Sequence, residues 1–172
     1  MDENRIKQAE TNFRNYLNEG KIKKQDYFDE LVYNTYLRNG HESLNAANQL
    51  FQNKTSSLWV VVTSYYSMFY MACAYLYKLG YKPGDEIVHQ VVNESLIVQG
   101  RHKIKNYILE NYSQEKDNAL ILVDNYLDSY EKEKSKRSRF QYQTTEEIKE
   151  TKAKTSITRA KEFLTLIEDM LR

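Results

Sequence analysis

The chain has 172 residues, with 25 Lys+Arg against 24 Asp+Glu and a formal net charge of +1. That length suits one domain with enough core to fold alone, and the near-neutral balance excludes a uniformly basic nucleic-acid protein while leaving room for a local basic face. Charged residues at 28% and apolar ones at 41% exclude both a disordered chain and a membrane protein, and five Gly with one Pro are too few for strand-and-turn architectures.

A first helix is predicted over Asp2 to Asn18, stopped by Gly20, because Ile6, Ala9, Phe13, Tyr16 and Leu17 recur at helical spacing. Lys21 to Lys24 reads as a short basic connector. A second helix is predicted from near Gln25 to Gln52, with a break at Asn39-Gly40, since Gly is costly inside a helix. The third runs from Ser56 to Leu79. Its row Leu58, Val62, Tyr65, Phe69, Ala72, Leu76, Leu79 is joined by a second apolar row through Trp59, Tyr66, Cys73 and Tyr77. Apolar coverage that broad marks a central helix contacted on several sides. Its hydroxyl residues Thr63, Ser64 and Ser67 suit a buried core helix better than a membrane span.

Tyr81-Lys-Pro-Gly84 reads as a turn. A helix is predicted from Asp85 to Val98 and ended by Gly100, then a short piece from Lys103 to Tyr112 and a separate helix from Gln114 to Glu133. The run Lys132 to Arg139 holds five basic residues and one acidic one. Thr144 and Glu147 form a capping-box pattern before a last helix striped by Ile157, Ala160, Leu164, Ile167 and Leu171. Cys73, the single cysteine, permits no intramolecular disulfide and reads as a small buried hydrophobe. With the polar opening Met1 to Arg5, it leads to an expected cytoplasmic location.

Several chemistries lack their residues. There is no Gly-rich phosphate loop, no Gly-x-Ser-x-Gly elbow and no Glu-x-x-His pair. One Cys and three His give no thiolate-rich zinc site, so no metal and no cofactor are expected.

One stretch goes beyond generic helix. Ser64 to Pro83, with Tyr65, Tyr66, Met68, Phe69, Ala72, Leu76 and Gly80, resembles the second core helix of HEPN domains and the Gly that follows it. Arg137-Ser-Arg-Phe-Gln-Tyr142 resembles the family's Arg-x-x-Ala-Asp-Tyr segment, with Gln141 in place of the usual Asp. The final helix, with Ala160, Phe163, Leu164 and Leu171, is similar to the family's closing helix. The resemblance covers roughly Glu42 to Leu171. It implies an all-α, up-and-down bundle of about five to six helices, with an extra N-terminal helix. Residues 1–24 would form that N-terminal extension and 25–172 the HEPN-like bundle, a single domain overall. It also implies a homodimer. Family members include RNases of toxin–antitoxin, CRISPR and phage-defence systems. Others partner a nucleotidyltransferase, or bind nucleotides or RNA without cutting.

The family's RNases use an Arg and a His with four to six residues between them. Arg38 and His41 are separated by two residues, Arg101 and His102 are adjacent, and no His follows Arg137 or Arg139. The motif is absent, and with it the pairing of a general acid/base with a phosphate-holding guanidinium. The resemblance therefore implies a non-catalytic module that binds RNA, a nucleotide or a nucleotidyltransferase partner. Its alternatives are a divergent metal-independent RNase and a helical adaptor without nucleic-acid contact. Candidate binding residues are Lys134, Lys136, Arg137 and Arg139 with Tyr142 as a stacking ring, and His89, Arg101 and His102. Each has a plainer reading. The basic run suits a solvated helix end. His89, among Val88, Val91 and Val92, suits a partly buried structural histidine, and Arg101 to Lys103 suits an exposed loop cluster. Tyr65 and Tyr66 read mainly as core, but a buried tyrosine hydroxyl needs a partner and so marks a polar pocket between helices.

Overall fold

The computed structural model describes the backbone of residues 1–135 and 150–172, and the side chains of 1–127 and 150–172. Within those residues the chain forms α1 (Glu3–Asn18), β1 (Ile22–Lys24), α2 (Glu30–Gln52), α3 (Ser57–Lys78), β2 (Tyr81–Pro83), α4 (Val88–Gly100), α5 (Asn106–Ser135) and α6 (Glu150–Leu171). The fold is all-α, as the periodicity requires. The capping box at Thr144 lies outside the described residues.

Helix α3 is the axle. Ser56 caps it by accepting from the Trp59 N–H at 3.4 Å, and Gly80 ends it at φ +85°. Fifteen of its residues are buried, from Val60 to Tyr77. It packs on α2, α4, α5 and α6. Phe69, Ala72, Leu76, Leu96, Leu109, Phe163 and Ile167 belong to one core cluster. Cys73 lies inside it, 1% exposed, and burial raises its thiol pKa, so the cysteine is the inert apolar filler expected of it. Among the described residues no helix is long and apolar enough to cross a membrane.

Several boundaries differ from the sequence reading. α2 is unbroken through Asn39-Gly40. Gly40 is there for close approach: a Cβ at this position would stand 2.9 Å from Cγ and Sδ of Met71 on α3. The helix starts at Glu30 rather than near Gln25, because Asp29 accepts from the Leu31 N–H at 2.9 Å and caps it. The segments foreseen on either side of Ser113 are one helix, α5. α4 begins three residues later than Asp85, after Ile87, which is left-handed at φ 41° and offers no capping oxygen. The basic connector and the turn are strands. β1 and β2 pair antiparallel, with Ile22 opposite Pro83 and Lys23 opposite Lys82. A low count of Gly and Pro excludes a large sheet, not a three-residue ribbon. Ile22 anchors this one, fully buried beside Phe13, Tyr16 and Val91.

Two buried carboxylates tie helices together. Glu94 on α4 accepts both arms of the Arg5 guanidinium on α1, at 2.6 and 2.7 Å, and Nδ2 of Asn93 at 3.3 Å. Glu115 on α5 accepts from Ser156 at 2.6 Å and from Arg159 at 2.7 Å, both on α6. Glu94 is 4% exposed and Glu115 1%. An ionised carboxylate so deep is tolerable only with its charge matched.

Two expectations follow. Arg5→Ala should cost about 3 kcal/mol in urea unfolding, because it strands the Glu94 carboxylate, and adding Glu94→Gln should recover part of that loss. Gly40→Ala should destabilise by about 1 kcal/mol, overpacking against Met71 outweighing the better helix propensity. In a Met71→Ala background the same change should stabilise, so the sign of the Gly40→Ala effect reports the contact. Simple additivity in this double-mutant cycle would contradict it.

Candidate functional site

Of the residues singled out in sequence, Lys136, Arg137, Arg139 and Tyr142 lie outside the described residues, and Lys134 falls on the last turn of α5 without a described side chain. The structure therefore places only His89, Arg101 and His102.

Arg101 caps the end of α4 and is committed to the fold. Its Nη1 lies 2.7 Å from Glu10 on α1, and its Nε donates to Nε2 of His102 at 3.0 Å. His102 itself is exposed. The other near pairing, Arg38 with His41, is likewise spoken for. His41 Nε2 lies 3.0 Å from Glu168, and Arg38 Nε lies 3.9 Å from Glu42. Neither pair presents a free guanidinium beside a free imidazole.

His89 stands in different company. It occupies the first turn of α4, half-buried. Its Nδ1 is 2.8 Å from the Tyr65 hydroxyl of α3. Its ring packs against Phe69 at 4.7 Å, Tyr65 at 5.5 Å and Tyr66 at 5.6 Å between centroids. The spacing of α3 explains the cluster: positions 65, 66 and 69 fall on neighbouring turns and present three rings to one incoming side chain. Tyr65 thus finds the polar partner that its burial demanded, and that partner is His89. Nδ1 is engaged, so Nε2 is left as the imidazole's available nitrogen.

From α5, the Tyr112 ring meets that of Tyr65 edge to face at 6.1 Å and the Lys116 charge acts on His89; sequence reasoning missed both. Lys116 has a side chain only 14% exposed, with its ammonium 3.1 Å from Asp117. The Tyr112 side chain is fully buried. Burial lowers the His89 pKa below the ordinary histidine value, and the Lys116 charge lowers it further. Burial raises the pKa values of Tyr65 and Tyr112. The imidazole is thus held neutral near pH 7, and the tyrosines are held as neutral hydroxyls.

The arrangement offers one neutral imidazole among several aromatic faces where α4 meets α3. Among the described residues no group of three or more His, Cys, Asp or Glu is placed to hold a metal ion.

Neither the curated proteins nor the solved structures contain a significant match to the chain. The HEPN domain family model matches residues 33–170, which is most of the chain. That match takes in the tyrosine-rich α3, His89 and Lys116, and the closing α6. The chain belongs to the HEPN domain family.

Proposed function

We propose that this chain is a non-catalytic HEPN module that binds RNA or a nucleotide, in a prokaryotic or phage toxin–antitoxin or defence setting. The observation that carries the binding half of this reading is the His89 cage on α3: a half-buried imidazole, its Nδ1 2.8 Å from the Tyr65 hydroxyl, among the rings of Tyr66 and Phe69, an aromatic surface of the kind on which bases stack. The close pairing of Arg101 with Glu10 supports the non-catalytic half. A guanidinium already neutralised by Glu10 is a poor clamp for a scissile phosphate.

The basic run at 132–139 belongs to the same reading on sequence grounds. Arg137 supplies a fork that grips an oxyanion in bidentate fashion, which lysine cannot copy. A homodimer belongs to it too. Trp59, Ile121, Tyr126 and Leu127 are each at least 40% exposed, and the Trp59 and Tyr126 rings meet edge to face at 5.9 Å. The Trp59–Tyr126 pair, exposed on α3 and α5, suits a surface that a second copy covers.

Fluorescence anisotropy with a labelled single-stranded RNA tests the ligand. Arg137→Ala should weaken binding about tenfold, the weight of one charge-assisted fork, and Arg137→Lys nearly as much. Lys134→Ala should mainly flatten the salt dependence, by the share of about one phosphate contact. Equal binding by wild type and Arg137→Ala at low and moderate salt would remove Arg137 from the site. Light scattering at micromolar concentration should give twice the 20.5 kDa chain mass, and a monomer mass would contradict the dimer.

A further inference from the structure

We propose that the lysine face of the β1–β2 ribbon, together with the exposed Tyr27 and Phe28 rings that follow it, is a contact surface for single-stranded nucleic acid. This rests on the RNA-binding reading above and gives it a surface separate from His89 and from the 132–139 run.

The ribbon supplies the first observation. Strand side chains alternate between faces, and burial alternates with them here. Ile22 and its partner Pro83 are buried, while Lys23 and its partner Lys82 are exposed. The two lysines therefore stand directly opposite each other on the outer face, with Cβ atoms about 5 Å apart. Lys24, the next residue, is exposed as well. Like charges directly opposite weaken a ladder, and a two-stranded ribbon of three pairs has few ladder bonds to spare. Among the described residues none of Lys23, Lys24 and Lys82 has an ion pair, whereas Lys21 beside them is held by Glu19 at 2.7 Å. An anion that bridges the Lys23 and Lys82 ammonium groups turns their repulsion into two attractions.

The second observation lies one step along the ladder. The Gln25 N–H donates to the carbonyl of Gly80 at 2.8 Å and carries the chain onto the end of α3. There the Phe28 ring meets Tyr33 at 5.2 Å and Tyr77 at 5.5 Å, and the Asp29 N–H donates to the Tyr77 hydroxyl at 3.2 Å. Lys78 holds its ammonium 5.4 Å from the centre of the Phe28 ring and 5.5 Å from that of Tyr33. Phe28 is nevertheless 46% exposed and Tyr27 73%. With Leu31, Tyr27 is the most exposed large apolar side chain among the described residues. Rings left this open, next to a row of cations, call for an occupant.

Charge and shape select that occupant. The acidic residues of the same segments, Asp26, Asp29, Glu30, Asp85 and Glu86, lie outside both strands, and Asp29 is spent on capping α2. The outer face of the ribbon is therefore cationic. A chain of phosphates and bases satisfies both halves of the surface: phosphates at Lys23, Lys82 and Lys78, bases on Tyr27 and Phe28. Only unpaired bases can reach those rings, so the strand is single rather than duplex. An acidic peptide would match the lysines but bring no flat partner for the rings.

Fluorescence anisotropy with a short labelled oligouridylate tests the surface in the full chain, with the matching oligodeoxythymidylate, an RNA duplex and polyglutamate as competitors. Lys23→Gln combined with Lys82→Gln should weaken the single strand about tenfold and lower the salt slope by about 1.4, the share of two phosphate contacts. Tyr27→Ala should weaken it about fivefold and leave the slope unchanged, because stacking releases no counterions. Lys82→Glu separates binding from folding. It replaces a repelling cross-strand pair by an attracting one, so the melting temperature should rise by about 1–2 °C while binding falls further than in Lys82→Gln. A fall in melting temperature would contradict the Lys23–Lys82 repulsion on which the proposal stands. Tighter binding of the oligouridylate than of the oligodeoxythymidylate would name RNA as the source, and the reverse would name DNA. If the single strand binds and the Lys23, Lys82 and Tyr27 variants all match wild type, the ribbon surface is overturned and the RNA-binding reading survives elsewhere. If polyglutamate displaces the strand at equal charge and Tyr27→Ala is silent, the occupant is an acidic peptide and the proposal is overturned. Preference for the duplex would overturn it too. If no nucleic acid binds wild type, the proposal and the RNA-binding reading fall together.

Discussion

The burial of α3 on nearly every side is the constraint on which the rest depends. A helix that buries fifteen residues from Val60 to Tyr77 must be wrapped by other helices, and α2, α4, α5 and α6 do the wrapping. The wrapping is close enough for Gly40 to be needed opposite Met71, since a Cβ there would stand 2.9 Å from the thioether. It also leaves buried hydroxyls that need partners. Tyr65 finds His89, Tyr75 donates to the carbonyl of Gln99 at 3.2 Å, and Tyr77 accepts from the Asp29 N–H at 3.2 Å. Each of these bonds pins a neighbouring element against α3. The candidate site is one of them, so fold and site share an origin.

Hydrophobic packing alone would let the helices slide. Glu94 and Glu115 limit that freedom, because each can be buried only where its arginine can reach it. Arg5 fixes α1 on α4, and Arg159 with Ser156 fixes α6 on α5.

The helices α3 and α6 were legible because their apolar spacing is strong and local. Ile157, Ala160, Leu164 and Ile167 are buried as their stripe required. What sequence reasoning missed depends on partners far along the chain. Gly40 reads locally as a break, and only Met71 reveals it as a contact. Lys23 and Lys82 read as loop, and only their register across the ribbon makes them strand residues. At the site, His89 was legible as a half-buried histidine and Tyr65 as a hydroxyl in search of a partner. Their meeting was not, since 24 residues and a turn separate them. Glu94 lies between Asn93 and Ser95, and Glu115 lies in the polar run Ser113 to Asn118, so nothing local in the sequence signalled that each is buried against a cation.

Family membership accounts for the fold, and the described residues place His89 among the aromatic rings of α3. Both follow from the burial of α3. Native-state hydrogen exchange tests this most directly. The amides of Met68 to Leu76 should exchange only through global unfolding, with opening free energies equal to the total stability and higher than those of α1. Exchange in that stretch at a free energy well below global stability, or as readily as in α1, would contradict the claim that α3 carries both fold and site.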